Sequence, residues 1–235
     1  MKLLSPLRHA RLVVGLALSL ALAAPLAVAQ QRGMTDYGEA QVIQHTFRTG
    51  AITKPSVMAV ALIRATRGTW TASTAYASND TAIPTSWAQR YYRQTVASCT
   101  SGGSEPTWPT TAGGTVADGT CSWTEQTVQL EAGTFTEVAN SGGYARATLN
   151  PLDANWTAPS AGAGAGTGQT GNASAINYTP SANWTGTVVG FVLIDNATIG
   201  SGNAWFYAML TLPKVVNNGD AVSFGIGALT VQVDG

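Results

Sequence analysis

Charge is what this chain lacks most. Asp, Glu, Lys and Arg make up only 10% of its 235 residues, against roughly 25% in an average soluble protein. The 12 basic residues balance the 12 acidic ones, and no run of either sign occurs. A chain without a basic patch cannot neutralise a phosphate backbone, so nucleic acid is excluded as a partner. Histidine is almost absent, with His9 and His45 alone, and cysteine is limited to Cys99 and Cys121. Two cysteines and one histidine beyond the N-terminal segment cannot build a structural zinc site; no metal and no cofactor are expected. A Ser–His–Asp triad would have to use His45, which sits in no special pattern. Glu105 and Asp118 read as turn residues, Asp118-Gly119 being a hairpin signature, rather than as a glycosidase pair. The glycine-rich stretch 161–171 lacks the Lys-Ser/Thr partner of a phosphate cradle. No catalytic residue emerges, and the chain reads as a non-enzyme.

Long apolar runs are also missing, except at the N-terminus. Lys2, Arg8 and Arg11 precede an apolar run from Leu12 to Leu22, and Ala27-Val28-Ala29 precedes Gln30. This is the layout of a secretory signal with an A-x-A cleavage site over residues 1–29. A chain without that segment would carry 9 basic and 12 acidic residues and would need no membrane. Met34 offers a second candidate start, because the domain pattern begins there.

Thr, Ser, Asn, Ala and 26 glycines fill the place of charge. The spacing of Tyr37, Ala40, Ile43 and Phe47 predicts one short helix, capped by Asp36 with Glu39 reaching back and stopped at Gly50. After it, β signals dominate. Val57–Ile63 and Val188–Ile194 are continuous apolar runs of strand length. Phe135–Val138, Tyr144–Leu149, Ile176–Tyr178 and Trp205–Leu212 are further strands. Residues 159–172 read as a long loop. Asn217-Asn218-Gly219-Asp220 is a hairpin signal, and the phase break at Gly227-Ala228 suggests a bulge. The expected fold is all-β: a jelly-roll-like β-sandwich over residues 34–68 and 126–235, with one short N-terminal helix and an inserted small β module over 69–125.

Aromatic residues crowd that insert. It holds Trp70, Trp87, Trp108 and Trp123, four of seven tryptophans, and Tyr76, Tyr91 and Tyr92, three of seven tyrosines, in a Thr/Ser/Gly background. Such density suits a small β module that packs a few aromatics inside and shows others outside. Trp87, following Pro84, is the expected exposed platform for a sugar ring. Tyr91 and Tyr92 adjoin in a strand, so one is expected to face out. Trp108, between Pro106 and Pro109, is expected to point inward. Cys99 and Cys121 are the only pair and are expected to bridge in an oxidising setting. The insert is expected to leave from and return to one loop of its host, to fold as a unit, and to be removable with the sandwich's cooperative melt kept.

Three blocks outside the insert carry a family resemblance: MTDYGEAQVIQHTFRTG with TKPSVMAVAL, TEVANSGGYARATLNPLDANWTAP, and WFYAMLTLPKVVNNGDAVSFGIGALTV. In order and spacing they resemble phage tail-fibre-like virion structural proteins over residues 34–64 and 134–235. The insert, with Trp70-x-Ala72-x-Thr74-Ala75-Tyr76, Tyr91-Tyr92-Arg93, Ser104-Glu105-Pro106-Thr107-Trp108-Pro109 and Asp118-Gly119-Thr120-x-Ser122-Trp123, resembles a Trp-rich phage appendage module and, more distantly, small carbohydrate-binding modules. The resemblance implies a virion location, other virion proteins as partners, a homo-oligomer, and contact with a cell-surface glycan through Trp87, Tyr91 and Tyr92. The signal-like segment points instead to an exported, extracellular or periplasmic glycan-binding protein of prophage origin.

Overall fold

The computed structural model describes residues 15–19, 32–159 and 168–234. Apart from Gly15–Ser19, the signal-like segment lies outside the described residues. In chain order the strands are β1 (Gly15–Ser19), β2 (Arg32–Met34), β3 (Ala59–Ala65), β4 (Ala75–Ala77), β5 (Thr81–Ala82), β6 (Tyr92–Gln94), β7 (Ser98–Thr100), β8 (Thr115–Asp118), β9 (Cys121–Glu125), β10 (Ala147–Thr148), β11 (Gln169–Gly171), β12 (Ile176–Tyr178), β13 (Thr187–Ile194), β14 (Ala204–Val215), β15 (Val222–Phe224) and β16 (Thr230–Asp234). The helices are α1 (Asp36–Phe47) and α2 (Thr127–Glu131). The fold is an all-β sandwich with a short N-terminal helix.

An antiparallel sheet, ordered β10-β3-β13-β14-β2, forms the middle layer. Its central strand β13 and the neighbouring β3 are the two apolar runs, and both are buried nearly throughout. Such a run has no polar face to give to water, so both sides of the sheet must be covered. Met58, Val60, Leu62, Phe191 and Leu193 point to one side, where Ile176, Tyr178, Val222 and Phe224 from β12 and β15 close the core. Ala59, Ala61, Ile63, Val189, Val192 and Met209 point to the other side, where they meet Ile83 and Tyr91 of the insert and Leu130 of α2. The insert therefore forms the third layer of the molecule rather than an appendage at its edge.

Several local expectations shift. The cap of α1 is Thr35, not Asp36: the Thr35 hydroxyl accepts from the Gly38 amide at 3.2 Å. The region 135–149 contributes only β10 as a strand; Glu137 bridges Ile63 singly. Asn217–Asp220 makes a turn, with the Asp220 amide donating to the Asn217 carbonyl at 3.1 Å. That turn links β14 to β15 in a different sheet, so no hairpin results. Gly227, with φ +69°, sits in a turn between β15 and β16 rather than in a bulge, and those strands also belong to different sheets. The register breaks lie instead in β14, at Trp205 opposite Leu193 and Ile194, and more widely near its end. Met209 pairs with Gly190 and Lys214 with Val188, so Leu210 to Pro213 loop out opposite Val189. Proline, which has no amide to donate, is at home there.

Candidate functional site

The insert builds its own small core from aromatics because it has few aliphatics. Strand β4 pairs with β7, and β5-β6-β9-β8 form a second sheet. Between them lie Trp70, Tyr76, Tyr92 and Trp123 together with Cys99 and Cys121. The two cysteines are joined, with their Cα atoms 4.9 Å apart. Tyr76 meets Trp123 edge-on at 4.8 Å, a favoured aromatic geometry.

Asp118, 5% exposed, is the polar centre of this core. One carboxylate oxygen accepts from Trp70 Nε1 at 2.8 Å and from Trp123 Nε1 at 3.0 Å. The other accepts from the Gly102 amide at 2.7 Å. Read from sequence as a turn residue, Asp118 does open the β8–β9 hairpin, and Gly119 follows at φ +62°. A Cβ on Gly119 would lie 2.4 Å from the Thr100 carbonyl oxygen, so only glycine fits. The buried role of Asp118 has no local signal, because the indoles it serves lie 48 residues before it and five after.

The three residues first singled out for sugar stacking are placed otherwise. Trp87 is partly buried against the core shared with the sandwich, and its Nε1 donates to the Leu210 carbonyl at 3.0 Å. It plugs the β14 bulge, where looping out leaves that carbonyl to be satisfied. Tyr91 and Tyr92 are each 1% exposed. Their side chains do alternate, but both faces are covered: Tyr91 enters the shared core and Tyr92 the insert's own. The expected outward face is therefore absent, because the strand lies between two cores. Burial pushes the Tyr92 phenol up to about 12, and its hydroxyl donates to the Pro109 carbonyl at 2.9 Å.

Trp108 is partly buried, as Trp87 is; it packs on Tyr92 with ring centroids 4.3 Å apart and meets Trp123 edge-on at 5.8 Å. Its Nε1 donates to a Glu105 carboxylate oxygen at 2.7 Å, and that oxygen also accepts from the Thr85 amide at 2.8 Å. The other Glu105 oxygen accepts from the Thr85 hydroxyl. Burial pushes the Glu105 carboxyl up, but the hydrogen bonds from Thr85 and Trp108 outweigh it and leave the pKa below the ordinary value. A fixed carboxylate thus fixes the indole. Trp108 borders a surface cleft of about 250 Å³ whose walls include Ser86, Arg90, Tyr92, Glu105 and Thr110. An aromatic ring beside hydroxyl and charged groups can stack on the C–H face of a sugar and hydrogen-bond its hydroxyls. Trp108 thus packs inward on the insert's core, as its flanking prolines predict, with one edge left at the cleft.

The other carboxylates near the insert are also committed. Glu125, 1% exposed, receives Arg90 at 3.0 Å and the Gly113 and Thr127 amides at 3.0 Å each. This latch fixes the chain where it leaves the insert for α2. His45 lies on the exposed part of α1. Among the described residues no group of His, Cys, Asp and Glu could hold a metal, and no helix is long and apolar enough to cross a membrane. A larger cleft of about 560 Å³ lies on the sandwich, walled by Met58, Leu152, Trp156, Leu193, Phe206 and Val231. It is chiefly apolar, with Lys54 and Asp153 also on its walls.

Residues 127–232 match the family model described as Podophage GP4 fiber I protein gp80. The match begins two residues after the insert ends and runs from α2 into β16. It is a likeness to a phage fibre family, and it supports a structural role in a virion. No curated protein matches the chain.

Proposed function

We propose that this chain is a non-enzymatic structural protein of a phage virion, of the tail-fibre type. It joins other virion proteins through the β-sandwich, works as a homo-oligomer, and contacts a host-surface glycan through the inserted module. The observation that carries the structural reading is the match of residues 127–232 to a phage fibre family. These residues hold most of the sandwich, including β13 and β14. The absence of a catalytic role is argued from Glu105, Asp118 and Glu125, each engaged in holding indoles or backbone amides. Purified particles probed by mass spectrometry and by antibody labelling in the electron microscope test the reading. Particles that lack the chain would sink it.

The glycan reading moves from Trp87, Tyr91 and Tyr92 to the Trp108 cleft, with Tyr92 as the ring behind the platform. Its support is a partly exposed indole held by Glu105 and bordered by Ser86, Arg90 and Thr110. On a glycan array, Trp108→Ala is expected to lose binding at least tenfold while Trp108→Phe keeps part of it. If the unaltered protein binds no glycan, the module is a spacer.

A second reading, an exported glycan-binding protein of prophage origin acting outside a virion, is favoured by the signal-like segment 1–29 and by the joined Cys99 and Cys121, since disulfides persist in oxidising compartments. N-terminal sequencing separates the two. A mature start at Gln30 favours export; a start at Met34 or Thr35 favours assembly in the cytoplasm.

A further inference from the structure

Strand β16 is held along one side by a segment that signal cleavage would remove. Its neighbours in the sheet are β11 and β1, and both pairings are antiparallel. Strand β11 covers only Thr230, Val231 and Gln232, whereas β1 runs the whole length, from Ser19 opposite Thr230 to Gly15 opposite Asp234. Gly15–Ser19 lies inside residues 1–29. A cut after Ala29 takes β1 away, and so does a start at Met34.

The direction of the backbone groups determines what that loss uncovers. The Leu229 carbonyl accepts from the Asn172 amide at 3.0 Å, so Leu229 faces the β11 side. Gly171, opposite Thr230, turns away from β16 to Thr157: its amide donates to the Thr157 hydroxyl at 2.9 Å, and its carbonyl accepts from the Thr157 amide at 2.8 Å. Backbone groups alternate sides along a strand. Thr230, Gln232 and Asp234 therefore turn their N–H and C=O groups toward β1. The strand reads TVQVD, with neither Pro nor Lys, and an edge of that kind is a template for a further strand. The end of β14 differs. Among the described residues its pairing with β2 stops at Ala208, and the stretch beyond carries Pro213 and Lys214, residue types that blunt an edge. Leu229 is buried and Val231 packs against the sandwich core, so a strand added beside β16 extends the sandwich wall.

We propose that the β1 edge of β16 is a strand-docking site. In the full chain Gly15–Ser19 occupies it; in a chain without residues 1–29 it takes an extended segment of another virion protein. The identity of that partner rests on the proposed function, whereas the docking edge does not. The strand already seated there defines what fits. In GLALS the larger residues, Leu16 and Leu18, alternate with Gly15, Ala17 and Ser19, and the register sets Leu18 opposite Val231 and Leu16 opposite Val233. An incoming strand therefore runs antiparallel to β16, with large apolar residues at two alternate positions and small ones between. Main-chain hydrogen bonds supply affinity, and the alternating positions supply selectivity. Loss of the N-terminal segment is then the step that makes the chain competent to join its partner.

The test begins with the full chain. Ala17 stands opposite Gln232, so its amide is among those that donate to β16, and Ala17→Pro removes it. In hydrogen exchange, the Thr230, Gln232 and Asp234 amides should be protected in the unaltered chain and exchange at least tenfold faster in the variant. The Val231 amide, which faces β11, should stay protected and so report that β16 is still in place. A synthetic peptide of residues 12–22, with lysines added at both ends for solubility, should restore protection to the variant. The same peptide with Pro in place of Ala17 should not. In purified particles, a photo-crosslinking residue at position 232 should join an extended apolar segment of another virion protein. Equal exchange in the unaltered chain and the variant, no rescue by the peptide, or a crosslink in particles that reaches only a second copy of this chain or its own residues 15–19 would overturn the proposal. The exchange measurements need no particle, so their failure is distinct from failure of the virion reading.

Discussion

Trp87 is held along its ring and at its nitrogen, and that determines what its loss does. Trp87→Ala deletes a partly buried indole from the shared core and leaves the Leu210 carbonyl in the bulge without its donor. A fully buried Trp→Ala change costs about 3–5 kcal/mol, so about 2–3 kcal/mol is expected here. Tyr91 is the contrasting neighbour. Its hydroxyl is buried with no hydrogen-bond partner among the described residues, so Tyr91→Phe removes a desolvated group and should be neutral or stabilise by about 1 kcal/mol. Denaturant melts of both variants decide it. A Trp87→Ala loss of no more than about 0.5 kcal/mol, the range of a surface change, would show that the indole does not anchor the insert. Neither role is legible in the sequence, because the carbonyl that Trp87 serves lies 123 residues away. A proline before a tryptophan marks a rigid turn, but it does not say which way the turn faces. For Trp108 the local pattern points inward, and the ring does pack on the insert's core. Its flanking prolines shape the cleft wall, while the contact that holds the ring comes from Glu105, three residues earlier.

At the scale of elements, patterns that depend only on near neighbours were the legible ones. The apolar runs that became β3 and β13 are long enough for strands, too short for helices, and without a polar face. Their two-sided burial follows from that alone. What the runs do not encode is which segments cover each face, and one cover is the insert itself. The helix was legible from its spacing, but not its exposure, since periodic apolar residues look the same whether or not something packs on them. The insert contributes Ile83 and Tyr91 to the core of the sandwich, and Glu125 latches it to α2. The insert has an aromatic core of its own and the Cys99–Cys121 link, but it also covers one face of its host's sheet, which argues against the expectation that it can be removed freely. Replacing 69–125 by a short Gly/Ser link would uncover Ile63, Val192 and Met209, all 1% exposed or less. At about 1.5–3 kcal/mol for each large aliphatic side chain returned to water, the deletion should lower the melting temperature sharply or abolish the cooperative transition. A shortened chain that melts as the full chain does would show that the third layer is dispensable.

The whole molecule is bound together by tyrosine to an unusual degree, and that gives it an alkaline limit. Six of the seven tyrosines, Tyr76, Tyr91, Tyr92, Tyr144, Tyr178 and Tyr207, have pKa values raised above 10, in each case with burial as the main cause. They are spread through all three layers: Tyr76 and Tyr92 in the insert, Tyr91 and Tyr207 in the core between insert and sheet, Tyr144 and Tyr178 between the sheets. Tyr144 donates to the Glu137 carboxylate at 2.8 Å and accepts from the Leu62 amide at 2.9 Å, while Tyr178 donates to the Val60 carbonyl at 3.0 Å. Ionising either phenol would place a charge in the sandwich core and remove a donor. The sign follows from linkage. The unfolded chain releases these protons near pH 10 and the folded one only at higher pH, so above 10 the unfolded state binds fewer protons and stability falls as pH rises. Each group held neutral in this way removes about 1.4 kcal/mol per pH unit, so several acting together outweigh a typical folding free energy of about 5–15 kcal/mol within a few units. Stability should therefore be insensitive to tyrosine ionisation up to about pH 10 and then collapse in one step. Tyrosinate absorbance and tryptophan fluorescence, followed along one pH titration, should change together. If tyrosinate appears gradually while the fluorescence stays native, the phenols are reached by solvent without unfolding, and the tyrosine cores do not bind the three layers into one cooperative unit.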